Sequence, residues 1–260
     1  MTTSLSFADN ISSYLVIPYN SDLDFGLGDF TIEWYQYETD SNAHPRPFSR
    51  GTYLINPGAT IAVSIESDGY FYLWYQNIYI ISFSVNVTAS EWNHFAICRS
   101  SGITQVFMNG VSQGSVADTN NYTSTDNLTI GNESDRINPD VTTPFGGYMT
   151  YFAWNKGYAR YTTNFTVSDT YPPILPSTVL MLSAYSNSGT QGRNVINSNV
   201  GTYASAPVNF NPDPTKPPTQ LFYRMVGSLY SDNTKFYKPN SLSSSIGSTV
   251  RNSRAVARRT

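Results

Sequence analysis

Cysteine is nearly absent: Cys98 is the single one in 260 residues, so no intrachain disulfide can form. A chain that folds without cross-links suits a reducing compartment, and synthesis in the cytoplasm is the expectation. No apolar run reaches the ~18 residues of a membrane-crossing helix. Residues 1–20 lack the charged-then-apolar layout of a secretion signal. Histidine is scarce too, with only His44 and His94. Two histidines and one cysteine offer no zinc-ligand spacing, and there is neither a phosphate-cradling glycine loop nor a nucleophile elbow. No segment of a dozen residues carries convincing helical periodicity. Charged side chains make up 13% of the chain, fewer than the aromatics at 15%. That balance suits pleated, half-buried surfaces and leaves ample apolar area for a core.

What is present alternates. In WNHFAICR at 92–99, Phe95 and Ile97 face one way while His94, Ala96 and Cys98 face the other. Cys98 therefore reads as a buried strand residue and His94 as a hydrogen-bonded structural one. Ser101-Gly102 closes a first turn, and Asn109-Gly110 supplies the pair most tolerant of positive φ, as a two-residue type I′ hairpin requires. The same period of two recurs at 30–36, 61–65, 70–75 and 78–85, with Asp68-Gly69 as a turn between the second and third runs. Residues 156–161 have room for one short turn. Many short strands punctuated by Gly, Asn and Asp predict an all-β chain with two antiparallel sheets packed face to face, a jelly-roll sandwich.

The pattern W-x-H-x-A-x-x-R…V-x-x-N-G at 92–110 resembles the laminin G-like branch of the concanavalin A-like lectin/glucanase superfamily. Further blocks follow in that family's order: SLSF at 4–7, YLVIP at 14–18, GDFTIEW at 28–34, LTIG at 128–131, FGGY at 145–148, KGYARYTTNFT at 156–166 and TVLML at 178–182. The resemblance implies a concanavalin A-like sandwich over residues 1–186. Modules with the 156–166 type of signature resemble those in virion proteins of phages and of large DNA viruses of algae and protists, which implies a minor capsid component. Glycan binding is the family's most general activity, and it requires aromatic faces beside amides and carboxylates. Tyr35, Tyr37, Tyr72, Trp74, Tyr75 and Tyr79 supply aromatics, but half of any strand must face inward, so the sequence does not separate a sugar platform from core.

The glucanases of the superfamily use an E-x-D-x-x-E strand whose carboxylates act as nucleophile and acid/base. The nearest string is ESDRIN at 133–138, with Asn138 in place of the second acid and a loop in place of a strand. No catalytic residues are assigned, and the chain is expected not to be an enzyme. The family also implies loop calcium sites, for which Asp118, Asp126, Glu133, Asp135 and Asp140 are the candidate ligands. The acidic pair that often follows the family's FxGY block is replaced here by Thr150 and Tyr151, and no cofactor is otherwise expected.

Composition changes at about residue 186. The stretch 187–260 is rich in Ser and Asn, carries five prolines from Pro207 to Pro218, and reads as an extended arm that cannot bury enough apolar area to fold alone. Phe222, Tyr223, Phe236 and Tyr237 are apolar anchors within it. Charge is segregated: residues 1–234 hold 9 Lys/Arg against 18 Asp/Glu, a net of −9, whereas residues 235–260 hold six cations, Arg251, Arg254, Arg258 and Arg259 among them, and no acid. With no recognition motif, nucleic acid is not the expected partner. The expected partners are other capsid proteins or copies of this chain, gripped by the arm within a virion; glycan binding by the sandwich is the alternative.

Overall fold

The computed structural model describes residues 3–7, 14–39, 44–51, 58–85, 91–133, 144–168, 172–173 and 175–182, with the backbone of 203–204 and 209–212. The strands are β1 (Thr3–Phe7), β2 (Leu15–Ile17), β3 (Phe30–Glu38), β4 (Phe48–Arg50), β5 (Ala59–Ile65), β6 (Tyr70–Gln76), β7 (Ile78–Ser84) and β8 (Trp92–Ser100). They continue with β9 (Ile103–Met108), β10 (Val111–Ala117), β11 (Leu128–Ile130), β12 (Gly147–Lys156), β13 (Thr178–Leu182), β14 (Tyr203–Ala204) and β15 (Asn209–Pro212). One sheet runs β10-β9-β8-β3-β12-β1-β15 with β13 also on β12; the other runs β14-β2-β11-β4-β5-β6-β7. Every pairing is antiparallel, and the expected all-β sandwich is what forms.

The alternating runs become strands for the reason they alternate. Phe30, Ile32 and Trp34 of β3 and Phe95 and Ile97 of β8 point into the space between the sheets. From the opposite sheet come Phe48, Ile61, Val63, Phe71 and Leu73. Trp34 stacks on Phe95 at 5.3 Å between ring centroids, and Phe48 meets the Trp34 ring edge-on at 5.4 Å across the gap. Phe71 stacks on Phe95 at 5.6 Å, tying the sheets together a second time. Both meander turns take the left-handed pair: Ser101 and Gly102 have φ of 51° and 76°, Asn109 and Gly110 of 49° and 81°. Two such turns set the register of β8, β9 and β10.

Opposite faces of the same strands behave differently in the two sheets. On the larger sheet, Glu33, Tyr35, His94, Ala96, Cys98 and Phe107 point away from the core yet are buried. They are covered by residues 158–168, a strap without regular structure that starts after Gly157 turns the chain at φ 78°. Arg160 Nε lies 2.7 Å from Glu33 Oε1, the Tyr161 hydroxyl donates to Glu33 Oε2 at 3.1 Å, and the Arg160 N–H donates to Thr31 Oγ1 at 2.8 Å. At the far end the Phe165 N–H donates to the Gly110 carbonyl at 2.9 Å, and the Tyr161 and Phe165 rings stack at 3.6 Å. Burial, reinforced by the Glu33 charge, holds the Tyr161 hydroxyl protonated well above the ordinary range. Burial pushes the Cys98 thiol up to about 12, consistent with a structural residue. The His94 ring departs from expectation. It makes no hydrogen bond; its Nε2 stands 3.6 Å from Glu33, and Tyr35 and Phe165 pack against it.

Two pieces of the arm return to the sandwich: β14 pairs with β2 and β15 with β1, each extending one sheet at an edge. The anchors Phe222, Tyr223, Phe236 and Tyr237 and the four terminal arginines lie outside the described residues.

A Cβ on Gly110 would sit 2.0 Å from the Phe165 carbonyl oxygen, at a φ that L residues avoid. Gly110→Ala is expected to lower the unfolding free energy by about 2–3 kcal/mol in urea titration, because turn and strap are strained together. Glu38, at the end of β3, is 8% exposed, and burial raises its carboxyl from 4.5 to about 7. Between those values the native state keeps a proton that the unfolded chain has released, so stability falls as pH rises through the window. The fall is up to about 3 kcal/mol, and Glu38→Gln is expected to flatten it in unfolding measured at pH 5 and pH 7.5.

Candidate functional site

The outer face of the smaller sheet carries the exposed aromatics. Because Phe71 and Leu73 of β6 point inward, Tyr70, Tyr72 and Trp74 must point out. The fourth ring arrives by a different route. The β6–β7 register slips between Leu73 and Trp74, so Tyr79 lies opposite Trp74 where unbroken pairing would have put Ile80. Tyr72 is 5.6 Å from Trp74 and 5.2 Å from Tyr79, and Trp74 meets Tyr79 edge-on at 5.7 Å. Tyr79 is 53% exposed and Tyr70 41%, while Tyr72 and Trp74 are half-buried. The row is braced from below: Trp74 Nε1 donates to Ser64 Oγ at 2.9 Å, and the Tyr72 hydroxyl donates to Asp68 Oδ2 at 3.1 Å.

Charged groups close one end of this row. The Arg46 guanidinium sits 5.8 Å from the centre of the Trp74 ring, with Glu66 at 3.6 Å on one side and Glu133 at 3.7 Å on the other. His44 Nδ1 also contacts Glu66. At the other end, two residues beyond Trp74, Gln76 lines a cavity of about 300 Å³ with Thr60, Tyr75, Asn121, Thr123 and Asp126. Its wall is held from inside the sandwich. Fully buried Arg50 donates to the Leu23 carbonyl at 2.8 Å, to Asp24 Oδ1 at 2.5 Å and to the Ser124 carbonyl at 2.6 Å. The Tyr122 hydroxyl donates to Asp118 Oδ2 at 2.7 Å, and Arg99 donates to the carbonyls of Asp118 and Asn120. Such pinning presents the loop's amides, hydroxyls and carboxylate in one arrangement.

The six aromatics singled out in the sequence separate accordingly. Tyr72, Trp74 and Tyr79 form the row, and Tyr75 turns to the cavity wall and the Tyr122 ring. Tyr35 is buried under the strap, and Tyr37 packs between Trp92 and Tyr148. The acidic candidates separate too. Asp118 is buried and accepts from Thr104, Tyr122 and the Asn120 N–H; Glu133 is buried beside Arg46; Asp126 alone faces the cavity. Asp135 and Asp140 lie outside the described residues. Among the described residues no three Asp, Glu, His or Cys side chains are grouped so as to hold a metal ion. Sequence reasoning did not find Arg46, Ser64, Gln76 or Asn121. Nothing in their neighbours marks them, since each acts through cross-strand or loop contacts.

A family model described as the concanavalin A-like lectin/glucanases superfamily matches residues 9–159. No curated protein matches the chain. Among solved structures, the fold is similar to that of a candidate carbohydrate-binding protein from Bacteroides ovatus, at 15% identity and a TM-score of 0.50 over 70% of this chain and 51% of that one. The chain thus spans about half the length of that protein. It is also similar to the SAP-like pentraxin of Limulus polyphemus (18% identity, TM-score 0.46, covering 61% of this chain and 78% of that one). Domains LG4-5 of the mouse laminin α1 chain are similar as well (11% identity, TM-score 0.45, covering 63% and 45%).

Proposed function

We propose that this chain, which belongs to the concanavalin A-like lectin/glucanases superfamily, binds glycan on the outer face of its smaller sheet. The observation that carries this reading is the Tyr70–Tyr72–Trp74–Tyr79 row running into a polar cavity. Sugar rings present C–H faces that lie on aromatic faces, and their hydroxyls take amide, hydroxyl and carboxylate partners of the kind Gln76, Asn121, Thr123 and Asp126 offer. The described face supports binding without hydrolysis. A glycosidase needs two carboxyls about 5–10 Å apart across the scissile bond, one of them protonated. Here Glu66 and Glu133 both face a single guanidinium. Glycan-array screening of the full chain, followed by calorimetry on the best ligand, tests the reading. Trp74→Ala is expected to lower affinity about tenfold, roughly 1.4 kcal/mol. Tyr158→Ala, exposed beyond the other sheet, leaves affinity unchanged. Equal binding by wild type and Trp74→Ala would overturn the assignment of this face.

A second reading is favoured by the charge segregation between the −9 body and the six-cation end of the arm. In it the chain is a minor capsid component of a virion, and arm residues beyond 220 grip acidic faces of other capsid proteins or of further copies. Arginines meeting exposed carboxylates in this way are sensitive to salt. The full chain is then expected to self-associate in sedimentation at 50 mM salt, whereas a variant with Arg251, Arg254, Arg258 and Arg259 changed to Gln stays monomeric. A wild-type chain that sediments as a monomer alone and in mixtures with virion proteins would count against it.

A further inference from the structure

The charges around the aromatic row select among glycans, an inference that rests on the glycan-binding reading above. Asp68, exposed, stands at one end, its carboxylate taking the Tyr72 hydroxyl and the Tyr70 N–H. Asp126, also exposed, stands at the cavity end and accepts from the Ser124 hydroxyl. Glu66 is partly exposed between Arg46 and His44. The cations near the face are withdrawn from solvent. Arg46 is 4% exposed and shared by two carboxylates, and Arg50 is fully buried among carbonyls and Asp24. Arg46, beside the Trp74 ring, is outnumbered by the carboxylates of Glu66, Glu133 and Asp68 around it and the neighbouring Tyr72. Thus, among the described residues, solvent reaches the carboxylates of Asp68, Glu66 and Asp126 along the row, while the Arg46 guanidinium beside it is withdrawn and the His44 ring is held against Glu66.

We infer that the face is built for an amine-bearing glycan, one whose hexosamine units keep a free protonated amino group, and against uronate, sialate or sulfate sugars. Two effects point the same way. An ammonium over a Trp or Tyr ring gains cation–π attraction that a neutral acetamide lacks. The flanking carboxylates of Asp68 and Asp126 then attract that ammonium and repel an anionic sugar, at a range of about 8–10 Å at moderate salt. Trp74 and Tyr72 supply the common platform; the two aspartates supply the discrimination.

Calorimetry on the full chain with hexamers of β-1,4-glucosamine, of its N-acetylated form and of a β-linked uronate tests this. The glucosamine hexamer is expected to bind at least tenfold tighter than the acetylated one, with affinity falling as salt rises from 50 to 300 mM. The uronate hexamer shows no binding. In Asp68→Asn, which keeps an acceptor for Tyr72, the ratio of amine to acetamide affinity is expected to fall about threefold, and to fall further when Asp126→Asn is added; a ratio unchanged in both variants overturns the charge selection. Equal affinity for the amine and acetamide forms, or tighter binding of the uronate, overturns the charge selection and leaves glycan binding standing. Binding of none of the three, with an empty glycan array, removes the reading on which it rests.

Discussion

The aromatic interlock between the sheets sets everything outside it. Phe48, Trp34, Phe95 and Phe71, drawn from both layers, form a chain of ring contacts whose successive centroids are 5.4, 5.3 and 5.6 Å apart, stacked or edge-on. Burying four such rings removes a large apolar area from water and adds ring–ring attraction to it. Once they are inward, the period of two leaves no freedom. Tyr72 and Trp74 go out because Phe71 and Leu73 are in; Glu33, His94 and Cys98 go out because Trp34, Phe95 and Ile97 are in.

The two outer faces then meet different fates. On the larger sheet, the strap at 158–168 covers the outward side chains and makes a second, small core of Ala96, Cys98 and Phe107 under Ala159, Tyr161 and Phe165. A carboxylate at the centre of that face is tolerable only because Arg160 and Tyr161 arrive with the strap to satisfy Glu33. The meander and the 156–166 signature are thus two halves of one contact, joined where Phe165 docks on Gly110. Among the described residues no such strap covers Tyr70 and Tyr79, which are exposed. An exposed row of rings is informative where isolated exposed residues are not.

Rigidity at the cavity end has a separate origin. Arg50 is an inward residue of β4 that reaches carbonyls and Asp24 instead of packing as an aliphatic side chain. Removing it would leave buried acceptors without partners, so the loop through Ser124 and Asp126 is held by polar groups rather than by apolar burial. A binding wall made this way keeps its amides and hydroxyls in place before any ligand arrives.

Alternation and turn chemistry alone determined the strands of the meander, the two left-handed turns and the sandwich class, because those features depend on neighbours one to four residues apart. They also determined that β6 splits its aromatics between two faces. Which face is open was decided by tertiary structure: the strap that hides Tyr35 is contributed by residues more than 120 positions away. The slip that brings Tyr79 beside Trp74 is a property of pairing between strands, and an unbroken period of two puts Ile80 there instead. Arg46, Gln76 and Asn121 became part of one surface through contacts that no local pattern encodes. For the same reason the acidic loop residues scattered on folding, Asp118 into a saturated buried network and Asp126 to the rim, since burial and partners are set by the whole sandwich and not by spacing along the chain.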